Sequence, residues 1–322
     1  MDEEFAELNK MNLDDLEKIE FPDGSRLKFD HDISRLNWFN IGSKSKIFLL
    51  ANSLKDFSLF LKVYDKRGKI FVLGAGSNTL FDDDLFDGVI IKLGKNFNNI
   101  SKLNENSIIS GSSCSDKKVS DFAMENSIEG FEFLSCIPGS IGGGIKMNAG
   151  CYGYSFGDYV SAIEGITRDG NFIKLTKKDV DFSYRKCHMS DELIVTSVIL
   201  KPIKLQRELI EEKMEKAILQ RQKTQPVEVP SCGSTFKNPD GKPSLMKEKK
   251  NKLKAWKLID EAGLRGKKMG KAQVSEKHPN FLINLGGATA SDIEALGEHV
   301  RKIVFEKHNI TLDWELIRIG KK

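Results

Sequence analysis

The sequence predicts two mixed α+β units, a larger one followed by a smaller one, in a chain of 322 residues. Three observations support this fold class. Short apolar runs of strand length recur between Lys28 and Leu205, amphipathic helical stripes lie between and after them, and two glycine-rich stretches interrupt the pattern. A chain of this length exceeds the usual size of one domain, so two or three domains are expected.

The composition is typical of a compact globular protein. Hydrophobic residues make up 39% and charged residues 30%, and no apolar run approaches the length needed to span a membrane. The acidic N-terminus, residues 1–20, lacks the order of a signal peptide, so we expect a cytoplasmic protein. A net charge of +4 is too small to indicate nucleic-acid binding, and we expect neither nucleic acid nor membrane as a partner.

The cysteines and histidines predict neither a disulfide framework nor a metal site. Five cysteines, odd in number and without a Cys-x-x-Cys pair, indicate reduced thiols, and the five histidines show no ligand spacing. The cysteines are Cys114, Cys136, Cys151, Cys187 and Cys232.

The larger unit is built from alternating strands and helices. Residues 1–24 indicate one or two short amphipathic helices that end before Pro22. Ser53 is expected to cap a helix within Leu50–Lys66, and a second helix begins after Ser115, with Val119, Phe122 and Ala123 on its buried face. The predicted strands are Ile70–Leu73, Val89–Leu93, Ile108–Gly111, Ser161–Ile166, Asn171–Leu175 and Leu193–Leu200.

A helix from Leu205 to Gln222 is predicted to lead into the smaller unit. There we expect a short helix around Trp256 that stops at Gly263, and a longer helix opened by Ser291 with Glu294 at the capping-box position. Two further strands are predicted at Phe281–Leu285 and Ile310–Ile319. Lysines 247, 249, 250, 252 and 254 form a basic run without aromatic residues, which favours a solvated surface over a nucleic-acid patch.

The stretch Gly130–Gly153 is the most constrained part of the sequence. Seven of its 24 residues are glycine, which a packed helix or strand does not favour because each glycine costs folding entropy and adds no side chain. One interpretation is that main-chain N–H groups here approach an anionic ligand such as a phosphate. The alternative is a set of tight turns between short strands.

A second glycine-rich loop, Gly74–Thr79, follows the strand at Ile70–Leu73. The strand would fix the direction of the loop, and the N–H groups and hydroxyls of the loop suit a phosphate. The two glycine-rich loops could therefore face one ligand. It is not a dinucleotide-binding fingerprint, because Thr79 stands where the last glycine is needed, nor is it a Walker loop.

Several distant motifs agree with one family. They are the loop Leu73–Asn78, Ile137-Pro138-Gly139 with Gly142-Gly143, Asn148–Gly153, Ser183-Tyr184-Arg185, Gly233–Pro239 and Glu315 near the C-terminus. Together they resemble the UDP-N-acetylenolpyruvoylglucosamine reductase family, over nearly the whole chain from about Arg35. The short segment between Arg185 and Leu193 resembles the type II form of that family.

The resemblance implies a domain order and two cofactors. Residues 1–27 would be an extension, 28–205 an FAD-binding domain of the vanillyl-alcohol-oxidase (PCMH) type with two subdomains, 206–309 a substrate-binding domain, and 310–322 a strand returning to the active site. FAD would bind non-covalently, and NADPH would be the hydride-donating co-substrate. The cofactor-binding residues implied are Gly74, Ala75, Gly76, Ser77, Asn78, Ile137, Pro138, Gly139, Ser140, Gly142, Gly143, Asn148 and Gly150.

The reaction implied is reduction of UDP-N-acetylglucosamine enolpyruvate to UDP-N-acetylmuramate in peptidoglycan precursor synthesis. Hydride arriving at the terminal enolpyruvyl carbon leaves negative charge on the adjacent carbon and carboxylate, which a cation and a hydrogen-bonding acid would stabilise. Arg185 and Glu315 match the family residues with that role, and Ser234 matches the proton donor. Tyr184, Lys237 and Asn238 would bind substrate.

Two positions depart from the family pattern. Cys187 stands where the family usually has serine. The family sequence Glu-Val-Arg is here Glu315-Leu316-Ile317-Arg318, so alternation along a strand would place Arg318 opposite Glu315. We therefore include Glu315 in the predicted site and leave Arg318 out.

Two other functions remain open at this point. An oxygen-using flavin oxidase of the same wider fold would leave the Ser234 loop unexplained, and neither glycine-rich loop has a histidine for covalent flavin attachment. A non-catalytic UDP-sugar-binding protein would not need Arg185, Ser234 and Glu315 together. Taken singly, each of these three residues is also compatible with a merely structural position.

For the oligomeric state of the protein, we favour a monomer.

Overall fold

Two sheets of the N-terminal half and a small C-terminal sheet organise the chain. The computed structural model describes residues 13–65, 67–105, 107–202, 210–242 and 253–320. Within these ranges the helices are α1 (Leu13–Glu17), α2 (Leu54–Tyr64), α3 (Asp116–Glu125), α4 (Ile141–Lys146), α5 (Phe156–Tyr159), α6 (Ile210–Thr224), α7 (Ala255–Glu261) and α8 (Ala290–His308).

The strands are short and numerous, as expected for α+β units. In chain order they are β1 (Arg26–Asp32), β2 (Lys44–Ala51), β3 (Lys69–Val72), β4 (Thr79–Phe81), β5 (Phe86–Leu93), β6 (Ile100–Asn104), β7 (Ser107–Gly111), β8 (Gly150–Cys151), β9 (Tyr154–Ser155), β10 (Val160–Thr167), β11 (Phe172–Thr176), β12 (Asp181–Ser183), β13 (Lys186–His188), β14 (Leu193–Leu200), β15 (Lys268–Met269), β16 (Ala272–Val274), β17 (Leu282–Asn284) and β18 (Ile317–Ile319).

The first sheet has the order β1-β2-β5-β3, with β5 parallel to both β2 and β3. Helix α2 contributes Phe57 and Phe60 to the core beside this sheet, which also contains Val89 from β5. Its start is as predicted, because the Ser53 side chain accepts a hydrogen bond from the Asp56 N–H. This sheet fixes the end of β3, where the first glycine-rich loop begins.

The second sheet has the order β11-β10-β14-β7-β6 and is antiparallel throughout. Helix α3 begins at the predicted cap, Ser115, and buries Val119 and Ala123, while Phe122 is half-buried. The five strands and the stretch Gly130–Gly153 share one apolar core. The second glycine-rich stretch is therefore supported by this sheet.

The C-terminal core recruits residues from near the N-terminus. The sheet β15-β16-β17 packs with α8, and Phe39, Ile41 and Leu80 join the same buried cluster. Strand β18 runs parallel to β4, which directly follows the first glycine-rich loop. The chain end thus returns to that loop, and the two parts of the sequence share a continuous interface.

Two predictions about the C-terminal part are wrong in detail. Helix α8 is capped by Thr289 with Asp292 as the capping-box partner, two residues before the predicted Ser291 and Glu294 start. The last strand is limited to Ile317–Ile319, preceded by an isolated bridge between Trp314 and Phe236. Thr289 is the cap because its hydroxyl accepts a hydrogen bond from the Asp292 N–H, whereas the Ser291 hydroxyl donates to Asp83.

Lys254 also departs from the solvated surface predicted for the lysine run. Its side chain is 2% exposed, and its Nζ lies 3.1 Å from Asp240 Oδ2 and donates to the Lys242 carbonyl. The desolvation of a buried ammonium group is offset by such partners. Lysines 247, 249, 250 and 252 lie outside the described residues, as do the predicted helical residues 1–12 and 205–209.

Candidate active site

A large cavity of about 1050 Å³ brings most of the sequence-predicted site residues together. Both glycine-rich stretches, the Tyr184–Arg185 turn, the Ser234 loop and Glu315 contribute to its wall. Its volume is at the upper end of small-molecule sites, which are typically about 300–1,000 Å³. The cavity therefore has room for a large ligand or for two ligands together.

The first glycine-rich loop is held between two parts of the chain. Gly76 has φ +69°, and its carbonyl accepts a hydrogen bond from the Trp38 N–H. A Cβ atom on Gly76 would lie 2.2 Å from the Leu36 carbonyl oxygen, and one on Gly74 would lie 2.4 Å from Ser140 Oγ. Glycine is needed here for its backbone conformation and for close approach.

The second glycine-rich stretch is ordered as short helices rather than as turns alone. A 3₁₀ helix covers Glu132–Cys136, and α4 follows Ser140. A Cβ on Gly142 would lie 2.8 Å from the Cβ of Ser112, and the Cβ built on Gly74 would lie 3.9 Å from the Gly143 Cα. The two glycine-rich loops therefore face one another, as the sequence indicated, and they meet at the cavity.

Buried polar atoms without a protein partner lie at this meeting point. Ser112 Oγ, Ser140 Oγ and both carboxyl oxygens of Asp116 are buried, and the described part of the chain gives them no hydrogen-bond partner. All three residues belong to the cavity wall. Burial raises the pKa of the Asp116 carboxyl well above its usual value, so the protonated form, which is a hydrogen-bond donor, is favoured.

An ion pair occupies another part of the wall. Arg185 Nε donates to Glu315 Oε1 at 2.7 Å, and the two side chains are only 17% and 12% exposed. Burial raises the pKa of the Glu315 carboxyl, and the Arg185 charge opposes that rise. Burial alone would lower the pKa of Arg185, but Glu315 and Tyr184 raise it overall, so the guanidinium stays charged.

A tight hairpin turn between β12 and β13 positions Arg185. Its φ of +56° lies in the left-handed region, which costs a non-glycine residue on the order of 1–3 kcal/mol. The guanidinium lies 5.0 Å from the centre of the Tyr184 ring, and its Nη2 donates to the Gly150 carbonyl at 3.2 Å. The turn thus holds Arg185 between Glu315 and the second glycine-rich stretch.

The loop carrying Ser234 is fixed at both ends by main-chain contacts. Thr235 N donates to the Asn280 carbonyl at 2.7 Å, and Glu315 N donates to the Thr235 carbonyl at 2.8 Å. Asn78 Nδ2 in turn donates to the Glu315 carbonyl at 3.1 Å. Ser234, Glu315 and the first glycine-rich loop are therefore linked through adjacent backbone segments.

Most of the predicted site residues line the cavity, and two do not. Asn148 is buried outside the wall, where its amide donates to the Ser183 carbonyl and accepts from the Gly157 N–H. Lys237 also lies outside the wall. The predicted residues that line it are Gly74, Ala75, Gly76, Ser77, Asn78, Ile137, Pro138, Gly139, Ser140, Gly142, Gly143, Gly150, Tyr184, Arg185, Ser234, Asn238 and Glu315.

Several wall residues were absent from the sequence prediction. Lys92, at the end of β5, donates from Nζ to the Gly74 carbonyl at 3.2 Å, and burial lowers its pKa. His278 is in the wall beside Trp256, and burial lowers its pKa to about 4, so it is neutral near pH 7. Asp116 had a weak sequence signal, since it directly follows a predicted helix cap, whereas the others carried none.

The two departures from the family pattern have clear positions. Arg318 points away from Arg185 and Glu315, because it stacks on Trp314 at 4.7 Å and lies 3.7 Å from Glu294. Cys187 is buried in the core of the second sheet. Its thiol fills an apolar site, and burial raises its pKa to about 11.

No helix among the described residues is long and apolar enough to cross a membrane. Over the same ranges, no group of three or more histidine, cysteine, aspartate or glutamate side chains has a geometry suited to a metal ion.

Two family models match separate parts of the chain. Residues 45–176 match a model described as an FAD binding domain. Residues 225–319 match the C-terminal domain of UDP-N-acetylenolpyruvoylglucosamine reductase. The two glycine-rich loops lie in or beside the first match, and Ser234 and Glu315 lie in the second.

Relatives named UDP-N-acetylenolpyruvoylglucosamine reductase match over almost the full length. That of Pelagibacter ubique is 42% identical over 95% of this chain and 99% of its own, and that of Rickettsia typhi is 44% identical over 91% and 96%. The crystal structure of the Thermus caldophilus reductase has a TM-score of 0.77, at 27% identity, covering 92% of this chain and 100% of that one. The chain therefore belongs to the UDP-N-acetylenolpyruvoylglucosamine reductase family.

Proposed function

We propose that this protein reduces UDP-N-acetylglucosamine enolpyruvate to UDP-N-acetylmuramate, with FAD in the cavity and NADPH as the hydride donor. The observation that carries the proposal is the buried Arg185–Glu315 pair in the wall that also contains both glycine-rich loops. The reaction belongs to peptidoglycan precursor synthesis, and we place it in the cytoplasm with the protein as a monomer.

The residues around the two loops fit FAD. Gly74 and Gly142 let the loops approach without side chains between them, and the hydroxyls of Ser112 and Ser140 have no protein partner. A diphosphate group is the kind of polyanion that backbone N–H groups and hydroxyls bind at such a point. We assign the flavin to residues 28–205, and the substrate to residues 206–309 with the C-terminal strand beside it.

Arg185 and Glu315 suit the charge that the reaction develops. The chemistry supplied by bound FAD is hydride relay from NADPH to the terminal carbon of the enolpyruvyl group. Negative charge then appears on the neighbouring carbon and carboxylate, and the charged guanidinium of Arg185 can stabilise it in a water-poor site. Glu315 holds the guanidinium of Arg185 through a hydrogen bond from Nε. The other N–H groups of Arg185 do not bond to Glu315, and Nη2 donates to the Gly150 carbonyl.

Ser234 is the proton donor in this proposal. A serine hydroxyl is a weak acid, so it serves only where the acceptor is a strongly basic enol carbon and the hydroxyl is held in position. The backbone contacts of Thr235 with Asn280 and Glu315 provide that fixed position. Tyr184 and Asn238, joined by a 3.3 Å hydrogen bond from Asn238 N to the Tyr184 hydroxyl, are proposed substrate contacts, as is Lys237, which lies outside the wall. Asn148 stays with the proposed flavin-binding residues, which it would support through its bonds to Ser183 and Gly157.

The test separates the two half-reactions. The FAD-loaded protein is reduced anaerobically with NADPH, UDP-N-acetylglucosamine enolpyruvate is added, and flavin absorbance is followed. We expect the oxidised spectrum to return with formation of UDP-N-acetylmuramate. In Ser234→Ala, NADPH should still reduce the flavin, while reoxidation by substrate should slow by about 10²–10⁴-fold because the proton donor is missing.

The matched control is Ser101→Ala, which removes an exposed hydroxyl from β6 and should change neither half-reaction. Equal loss of both half-reactions in Ser234→Ala would show a defect in flavin binding or folding and would contradict the assigned role. Flavin that returns to the oxidised form only when air is admitted would instead support the oxidase alternative.

A further inference from the structure

Two cysteines that are 15 residues apart in sequence meet in the wall of the cavity. Cys136 Sγ and Cys151 Sγ lie 3.0 Å apart, and each sulfur also contacts the Phe133 carbonyl, at 3.1 and 3.2 Å. All five cysteines are free thiols in the structure. Their wide spacing in sequence did not indicate that two of them would pair.

We propose that Cys136 and Cys151 form a redox-active dithiol, a site of reversible oxidation to an intramolecular disulfide by hydroperoxides. The proposal is independent of the reductase activity. A disulfide has an S–S distance of about 2.05 Å. The two sulfurs therefore need to approach by only about 1 Å, which small changes in the two side-chain torsions can provide.

The surroundings of the pair favour a thiolate on Cys136. Its pKa is lowered by the hydrogen bond with Cys151 and, against the effect of burial, by the charge of Arg221. Arg221 Nη1 donates to the Cys136 carbonyl at 3.3 Å, which keeps this cation beside the pair. The pKa of Cys151 is raised by its hydrogen bond with Cys136 and by burial, so Cys151 keeps its proton until the second step.

Position in the cavity wall, rather than exposure, distinguishes this pair from Cys114 and Cys187, since Cys136 is itself buried. Cys136 and Cys151 both belong to the cavity wall, so a small oxidant that enters the cavity reaches them. Cys114 and Cys187 are buried outside the wall. Cys232 is in the wall but is 1% exposed, and burial raises its pKa to about 12, which disfavours the reactive thiolate.

The chemistry balances with hydrogen peroxide as the oxidant. The Cys136 thiolate attacks one peroxide oxygen, the O–O bond breaks, and the leaving hydroxide takes up a proton to give water and a sulfenic acid. The Cys151 sulfur then attacks Cys136 Sγ, the S–O bond breaks, and the hydroxyl leaves as a second water with the Cys151 proton. The two thiols lose two electrons in total, and the peroxide gains them.

The experiment treats the FAD-loaded protein with hydrogen peroxide in the absence of NADPH, blocks remaining thiols, and digests it with trypsin without reductant. Lys146 lies between the two cysteines, so the protease separates them and a disulfide leaves the two peptides joined. We expect to detect this joined species by mass spectrometry and to lose it on treatment with dithiothreitol. The number of free thiols should fall from five to three.

Matched variants make the result specific. Cys187→Ser removes a buried thiol outside the pair and should give the same joined peptides. Cys151→Ser should give none, with a trappable sulfenic acid on Cys136, and Cys136→Ser should slow thiol loss by about tenfold or more because the thiolate is gone. Flavin content measured for each variant shows that it has folded.

Two outcomes would overturn the proposal. In the first, peroxide oxidises Cys136 directly to a sulfinic acid without joined peptides in the unmodified sequence. In the second, all five thiols react at similar rates, which would show that the 3.0 Å contact and the neighbouring Arg221 confer no special reactivity.

Discussion

At the scale of single residues, the cavity gathers polar groups whose partners the fold does not provide. Asp116 shows this most clearly, since it is fully buried and neither carboxyl oxygen has a partner in the described chain. A Cβ on Gly139 would lie 2.5 Å from Asp116 Oδ2, so this carboxyl lies against the second glycine-rich stretch. Buried polar groups left unpaired by a fold are typical of ligand sites.

Asp116 leads to a prediction about pH. Its pKa is raised by burial, so the folded chain binds this proton more tightly than the unfolded chain does. The protonated Asp116 carboxyl therefore contributes to the free energy of unfolding at low pH. That contribution is lost as the pH rises from the ordinary pKa of 3.8 through the raised pKa of the folded state. The asparagine in Asp116→Asn cannot ionise. The melting temperature of this variant, minus that of the unmodified protein, should therefore be larger at pH 8 than at pH 5.

The control for that measurement is Asp121→Asn in the same helix. Asp121 is partly exposed and forms a surface ion pair with Lys117 at 2.6 Å, which typically contributes about 0–1 kcal/mol. Its melting temperature should follow the unmodified protein at both pH values. A constant difference between Asp116→Asn and the unmodified protein from pH 5 to 8 would show that Asp116 is already ionised.

At the scale of elements, the first glycine-rich loop depends on a backbone position that only glycine fits. Gly76→Ala would add the cost of a left-handed residue, about 1–2 kcal/mol, to the displacement of the Leu36 carbonyl. Gly241→Ala has a similar φ, +64°, with nothing within 4 Å of the added Cβ. We expect Gly76→Ala to lose bound flavin and much more stability than Gly241→Ala, as measured by flavin absorbance and thermal unfolding.

If both alanine variants lost the same stability and kept their flavin, the close contact of Gly76 with Leu36 would have no energetic importance. The comparison is fair because both glycines carry positive φ and lie in loops. The two changes differ only in what surrounds the added methyl group.

Helix α8 gives a second prediction at this scale. Thr289→Ala removes the hydroxyl that accepts the Asp292 N–H and should cost about 1 kcal/mol of unfolding free energy, with a range of 0.5–2 kcal/mol. Ser291→Ala removes the predicted cap, which in the structure only bonds to Asp83, and should cost less. Urea unfolding of the two variants compares them, and the reverse order would support the cap predicted from sequence.

Elements with local signals were predictable, and those that depend on distant partners were not. The Ser53 and Ser115 caps follow from short sequence patterns, and the structure confirms both. The start of α8 was wrong because two overlapping capping boxes occur in Thr289–Glu294, and Asp83, far away in sequence, engages Ser291. The length of the last strand depends on β4, which no local pattern identifies as its partner.

At the scale of the whole molecule, the cavity wall draws on segments from Trp38 to Ile317. The sequence indicated that the two glycine-rich loops could face one ligand. The resemblance to the family indicated the site residues Arg185, Ser234 and Glu315. Lys92, Arg221 and His278 were missed because isolated titratable residues in strands, helices and loops carry no motif. Their place in the wall follows from tertiary packing, which one sequence does not specify.

Because so many segments meet at the cavity, FAD should stabilise the whole fold. Free FAD at about 100 times its dissociation constant should add about 2.7 kcal/mol to the unfolding free energy. Removing the flavin should lower the melting temperature, and adding it back should restore the original value in a concentration-dependent way. Riboflavin, which lacks the diphosphate and adenylate, is the control and should restore less.

A melting temperature that does not respond to FAD would mean that the two loops contribute no binding free energy in the folded state. That result would contradict the role assigned to them here, whatever the activity of the preparation. A response to riboflavin equal to that of FAD would place the binding energy in the isoalloxazine ring alone.

The buried Lys254–Asp240 contact has a consequence for protein engineering. Asn238 Nδ2 donates to the Lys242 carbonyl, Lys254 donates to that same carbonyl, and the Ala255 N–H donates to Asn238 Oδ1. The two ends of the intervening segment are thus tied together beside Asn238, a residue of the cavity wall. Because Lys254 and Asn238 share the Lys242 carbonyl as an acceptor, a substitution of Lys254 should also shift Asn238 and so reach the cavity wall from outside it.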